Sequence, residues 1–211
     1  MDFTLSEEQQ LIIDTARRVG ERFGLDYWRA RDEAKEFPEE CWQAICAAGL
    51  GGAMLPEEHG GGGLGMVETA LIVEELCAAG AGSTLGQVFM LNPIFGGVSI
   101  SRHGSERMRR DWLPGLCDGS LICCMALTEP DAGTNSLGMK TFARRDGDGW
   151  RLNGQKIWIT AADRADLMLV VARTTPADQA PRKTFGISMF MIDAHREGIS
   201  ATPIPKLGTN T

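Results

Sequence analysis

Along the first half of the chain, apolar residues recur every three or four positions, the period of an amphipathic helix. Ser6 with Gln9 makes a capping box, and Leu11, Ile12, Ala16, Val19 and Phe23 follow on one predicted helical face. Pro38 suits the first turn of a second helix, with Cys41, Trp42, Ile45 and Ala48 on one side and Gly49 as its stop. Val67, Leu71, Ile72 and Leu76 form a third stripe, ended by Gly80. A fourth, apolar helix is predicted from about 83 to 103 despite Gly86, Pro93, Gly96 and Gly97. Gly104 would cap it, and Ser105 would open a short helix ending before Pro114.

Beyond Gly119 the pattern shortens to strands. Residues 121–127 are an apolar run of strand length, and Asp146-Gly147, Asp148-Gly149 and Asn153-Gly154 are closely spaced turn dipeptides. Asn-Gly is a favoured hairpin loop because both positions tolerate positive φ, so it is expected to join 150–152 to 155–160. Further strands are predicted at 167–171, 185–192 and 199–205. The expected fold class is therefore α+β. A helical domain at 1–117 is followed by an antiparallel, barrel- or sandwich-like β-domain at 118–211. A sheet cut at Lys206–Thr211 would leave an open edge, so the chain reads as truncated.

Composition narrows the function. Hydrophobic residues are 43% and charged residues 23%, as in ordinary globular proteins, and a net charge of −7 argues against nucleic acid as a partner. The six cysteines make no C-x-x-C pair and the three histidines (His59, His103, His195) are scattered, so no metal site is expected. Buried reduced thiols are expected instead. The acidic amino terminus lacks a secretory signal, and no apolar run approaches the ~20 residues of a membrane span. A soluble, cytoplasmic protein is expected, with no membrane partner.

Three features could carry chemistry. Gly60, Gly62 and Gly65 satisfy G-x-G-x-x-G, but Pro56-Glu-Glu-His59 precedes them where a nucleotide-binding fold needs a strand. A loop packed close to another backbone is the expected reading. The second feature is the segment from Met125 through Leu127, Thr128, Glu129 and Pro130 to Ala132, Gly133 and Thr134, directly after the apolar strand. Its small residues and free backbone N–H groups suit a phosphate or a flavin edge, although from the residues alone an ordinary strand-to-loop turn is the commoner reading. The third is Gln155-Lys-Ile-Trp-Ile-Thr160. On the outgoing strand of the Asn-Gly hairpin, Trp158 and Thr160 share a side, offering a flat face and a hydroxyl to a planar ring or simply to the core.

Taken in order, these pieces resemble the acyl-CoA dehydrogenase family over the whole chain. Asp2-Phe-Thr-Leu-Ser-Glu-Glu-Gln9 resembles its opening helix and Leu55-Pro-Glu-Glu-His-Gly-Gly61 its helical-domain loop. Leu127-Thr-Glu-Pro-Asp-Ala-Gly133 and Asn153-Gly-Gln-Lys-Ile-Trp-Ile-Thr160 resemble its two middle-domain signatures, and Lys206-Leu-Gly208 the segment that leads on to further strands and a second helical domain. The resemblance implies FAD as cofactor, bound by Met125, Leu127, Thr128, Gly133, Thr134, Trp158, Ile159 and Thr160. Thr128 would meet the pyrimidine end of the flavin, Gly133 and Thr134 its pyrophosphate, Trp158 one ring face and Thr160 the N5 region. Thr134 would also lie near the CoA portion of the substrate.

The implied reaction is α,β-dehydrogenation of an acyl-CoA thioester, with electrons passed to an electron-transfer flavoprotein. In the family the base is a glutamate of the carboxy-terminal helical domain, absent here, so no catalytic residue is assigned; Glu129 is expected to make structural hydrogen bonds. Three departures stand out. Asp131 sits where many members have glycine, Thr134-Asn135 replaces Ser-Asp, and Met125 stands where some members place an aromatic. Other readings are an enoyl-CoA or betainyl-CoA reductase, an acyl-CoA oxidase, and a non-catalytic subunit needing a partner chain. A homotetramer is implied for complete members.

Overall fold

The structure, a computed structural model, describes residues 4–205. Parts of the resemblance (Asp2, Phe3 and Lys206-Leu-Gly208) lie outside the described residues. Two compact units are present, one carrying the residues up to Ile122 and the other Cys123–Ile204. The division falls beyond the expected 117/118 junction because the chain folds back after the last helix. Leu121 N–H donates to Gly115 O at 2.9 Å, and Ile122 is buried in the helical core.

The helical unit contains α1 (Glu7–Gly20), α2 (Leu25–Ala34), α3 (Glu39–Ala47), α4 (Met66–Leu76), α5 (Gly82–Phe89), α6 (Ser99–His103) and α7 (Glu106–Asp118). The Ser6–Gln9 capping box opens α1 as expected, and the Gln9 amide also donates to Glu68 near the start of α4. The buried side of α1 is Ile13, Ala16 and Val19, while Leu11 faces solvent. On α4, Thr69, Ile72 and Leu76 are buried and Val67 is exposed. In both cases the first residue of the expected stripe is exposed and the rest is buried or half-buried. Trp42 and Phe89, both fully buried, meet edge-to-face at 5.8 Å in the core. Helix α2 was not expected, since only Trp28 of its ten residues is buried and no stripe shows. Conversely, α7 runs through Pro114, where a stop was expected. Burying Leu113, Leu116 and Cys117 offsets the one ladder bond that proline removes. The predicted 83–103 helix is α5 and α6 joined by a π-helical stretch, Met90–Val98, around Pro93.

The second unit is a five-stranded sheet of β1 (Cys123–Ala126), β2 (Phe142–Asp146), β3 (Gly149–Asn153), β4 (Leu167–Arg173) and β5 (Ile187–Asp193). The sheet is mixed, which corrects the antiparallel expectation: β4 pairs in parallel with β1 and β2, and antiparallel with β5. Strand β4 is central and buried over most of its length, hence its unbroken apolar sequence. The hairpin also differs from expectation. Its turn is Asp146–Gly149, joining β2 to β3, with Gly147 at φ +57. Asn153-Gly154 is not the turn, 155–160 is not a strand, and 199–205 forms none either. Gly154 is needed for a different reason: a Cβ there would lie 2.6 Å from Thr141 Cβ and 2.7 Å from Thr141 Cα.

Candidate functional site

The glycine loop before α4 binds itself. Gly61 N–H donates to Pro56 O, Gly62 N–H to Gly52 O and Gly63 N–H to Leu55 O, at 2.9–3.1 Å. An added Cβ on Gly61 would also overlap the Leu55 backbone. These amides are therefore committed, and the loop is the close backbone approach that the sequence suggested.

The segment after β1 is organised by Glu129. Its backbone N–H and C=O each bond Ala132 at 3.1 Å, closing a tight turn over Pro130 and Asp131. The Ala132 amide is thus used, which corrects the expectation that it is free. The Glu129 side chain is only 5% exposed. Its carboxylate accepts the backbone N–H groups of Lys140 (2.5 Å) and Thr141 (2.9 Å) and the Lys156 ammonium (2.8 Å). Burial alone would raise the Glu129 pKa, but these donors outweigh it and hold the carboxyl at about 2, so it is ionised at neutral pH. This is the structural role expected of Glu129.

The other candidate residues fall into two groups. Met125 lies on β1 and Leu127 just past its end; both are half-buried against Ala132, Met139 and Val171. Thr128 is half-buried, while Gly133 and Thr134 are exposed. Gly133 has open space where a side chain would begin and no positive φ, so nothing inside the fold requires glycine there.

The second signature is tied to the first at two points. Ile157 N–H donates to Thr128 O at 2.9 Å, and Lys156 Nζ donates to Leu127 O at 2.9 Å as well as to Glu129. Immediately after this anchor the chain turns into left-handed backbone at Trp158 (φ +61), and again at Ala161 (φ +61). Such a φ costs a non-glycine residue about 1–2 kcal/mol. The expected strand alternation, which put Trp158 and Thr160 on one side, therefore does not apply. Trp158 is 63% exposed, Ile159 half-buried and Thr160 exposed. No hydrogen bond joins Gly133 or Thr134 to Trp158, Ile159 or Thr160 among the described residues. Lys156 was not picked out from sequence, although a buried glutamate in the first signature calls for a cation.

Two adjacent family models match this chain: acyl-CoA dehydrogenase, N-terminal domain, over residues 6–120, and acyl-CoA dehydrogenase, middle domain, over 124–211. The chain belongs to the acyl-CoA dehydrogenase family. It is 37% identical to acyl-CoA dehydrogenase FadE12 of Mycobacterium tuberculosis over 202 residues, which is 96% of this chain and 50% of that protein. A solved structure of glutaryl-coenzyme A dehydrogenase in complex with glutaryl-CoA superposes with a TM-score of 0.92 at 30% identity, covering 100% of this chain and 53% of that one. The FAD complex of PigA superposes with a TM-score of 0.88 at 31% identity, covering 98% of this chain and 53% of that one. The chain thus spans about half the length of these relatives. Among its described residues no helix is long and apolar enough to cross a membrane, and no group of His, Cys, Asp and Glu could hold a metal ion.

Proposed function

We propose that this chain is the flavin-holding part of an FAD-dependent acyl-CoA dehydrogenase, an oxidoreductase that desaturates an acyl-CoA thioester between its α and β carbons. The observation that carries this reading is Trp158: a large indole held 63% exposed, at a positive φ, directly after a half-buried two-point anchor. A ring turned outward at that conformational cost suits a planar ligand that covers it. Gly133, open where a Cβ would sit, leaves room for a phosphate to approach the backbone. The residues present therefore fit FAD, as does the family.

When bound, FAD supplies the acceptor for the hydride leaving the substrate's β-carbon. In this reading Thr128 and Thr160 offer hydroxyls to the polar edges of the flavin, and Trp158 provides a flat apolar wall. Met125, Leu127 and Ile159 exclude water around it, and the Gly133–Thr134 backbone receives the pyrophosphate, with Thr134 also serving the CoA portion of the substrate. No residue of this chain is assigned as the base that takes the α-proton. Electrons would pass to an electron-transfer flavoprotein, and the complete protein would be a homotetramer.

The test is to purify this chain and its full-length gene product, titrate each with FAD, and add a panel of acyl-CoAs anaerobically. FAD uptake, with bleaching of the visible band in the full-length protein, is the expected result. No uptake by either protein overturns the reading. Uptake without bleaching by any acyl-CoA leaves a flavin-binding subunit instead, and oxygen consumption would mark an oxidase.

A further inference from the structure

Lys156 lies outside the residues assigned above to the flavin, yet its ammonium is committed to two acceptors. It is 10% exposed and bridges two acceptors on the first signature, Leu127 O at 2.9 Å and Glu129 Oε1 at 2.8 Å. The neighbouring Ile157 N–H bonds Thr128 O, so acceptors on three consecutive residues, 127 to 129, receive donors from two consecutive residues, 156 and 157. The stretch from 154 to 157 belongs to no helix or strand. Its placement therefore rests on these bonds and on the close fit of Gly154 over Thr141.

A buried ion pair is a poor device for stability, because desolvating two charges costs about as much as their attraction returns. An apolar pair of the same volume would serve a core equally well. The pair differs from an apolar contact in its choice of partners: the ammonium is satisfied only where it reaches both the Leu127 carbonyl and the Glu129 carboxylate, and with the Ile157 N–H this fixes where the chain leaves the anchor. The first residue beyond Lys156 and the bonded Ile157 is Trp158, where the backbone becomes left-handed. We propose that Lys156 is a positioning residue that fixes the site's geometry: through Leu127 O and Glu129 it locks the second signature onto the first and aims Trp158 outward. The inference rests on the flavin reading for what Trp158 meets, but not for the lock itself.

The test compares Lys156→Met, Lys156→Arg and the double variant Glu129→Gln/Lys156→Met with the wild type. Glu129→Gln in the double variant removes the stranded carboxylate that could unfold the single one. Hydrogen exchange is read first, without FAD, followed by FAD affinity from flavin fluorescence. In Lys156→Met and the double variant, exchange over 155–161 is expected to rise at least about tenfold while β4 and β5 keep their protection. The FAD dissociation constant is expected to rise by about tenfold or more. Lys156→Arg, which keeps a charged donor, should recover most of both. Unchanged exchange over 155–161 overturns the proposal. So does loss of protection spread through β4 and β5 in the double variant, which would make the pair a general fold contact. Local loosening with unaltered FAD affinity also overturns it. If the wild type takes up no FAD but exchange rises only over 155–161, the lock stands and the flavin reading fails.

Discussion

The acid titration of Glu129 offers a sharp test of how the loop after β1 is held. Its carboxyl sits at about 2 rather than the ordinary 4.5 because burial, which would raise it, is outweighed by two backbone N–H donors and the Lys156 ammonium. At about 1.4 kcal/mol per pKa unit, that difference makes the ionised form worth about 3 kcal/mol to the folded state, an upper bound. The folded pKa is depressed, so this stability is fully present above the unfolded value of 4.5 and is lost as pH falls towards 2. Glu129→Gln cannot lose it. The variant starts less stable at pH 6, since Lys156 is left without its counter-charge, and the gap to wild type should close by about 2 kcal/mol on going to pH 3. Urea titrations of 5-fluorotryptophan-labelled protein, followed at the Trp150 resonance, read the second unit alone. Other carboxylates titrate in both proteins and cancel in the difference. A gap that stays constant within about 0.5 kcal/mol from pH 6 to pH 3 would refute the account of the buried carboxylate.

Three further outcomes follow from the geometry. Gly154→Ala should cost about 2 kcal/mol or more in urea titrations, because the new methyl overlaps Thr141, whereas Gly133→Ala, with nothing within 4 Å, should leave stability within about 0.5 kcal/mol while weakening FAD binding. Equal stability losses for the two would contradict this picture. Trp158→Ala should raise the FAD dissociation constant by about tenfold or more in a fluorescence titration, with little change in Tm because the indole is mostly exposed; unaltered affinity would remove Trp158 from the site. Burial pushes the thiols of Cys41, Cys46, Cys123 and Cys124 up to about 12, so a chromogenic disulfide reagent at pH 8 should leave these four unmodified until the protein unfolds. Rapid reaction at any of them in the native protein would show that the cores open far more readily than their packing implies.

Most of the helical unit was legible because its cues are local. The Ser6–Gln9 box, the left-handed stop at Gly49 and the Ser105 cap each act within a few residues, and all three stand in the structure. Errors arose where packing overrode a local rule. Pro114 remains helical because Leu113 and Leu116 on either side of it are fully buried. In the sheet, strand existence was legible at β1, β3, β4 and β5, but pairing was not. The parallel match of β1 to β4 joins residues more than forty positions apart, and no turn dipeptide announces it. Strand β2, whose Arg144, Arg145 and Asp146 are exposed, carried too little apolar pattern to be seen. The choice among three neighbouring glycine turns failed for a related reason. Both Asp-Gly and Asn-Gly satisfy hairpin chemistry, and only the close packing of Gly154 on Thr141 shows that the latter is used for contact.

The second signature shows the same limit in the form that matters most for function. A period-two reading of Gln155–Thr160 gives Trp158 a side, but it presumes a strand, and a strand needs a partner ladder. The structure supplies no such ladder at 155–160; the segment's bonds to the first signature come from Lys156 and Ile157. Two anchored residues cannot propagate alternation beyond themselves, so the chain is free to turn, and it does so at Trp158. The outward indole therefore follows from the anchor at Lys156 and Ile157, the two residues just upstream. Repositioning that anchor should move the ring even when every residue assigned to the cofactor is kept. On this argument, the proposed flavin site depends on a buried Glu–Lys pair outside the residues assigned to the cofactor.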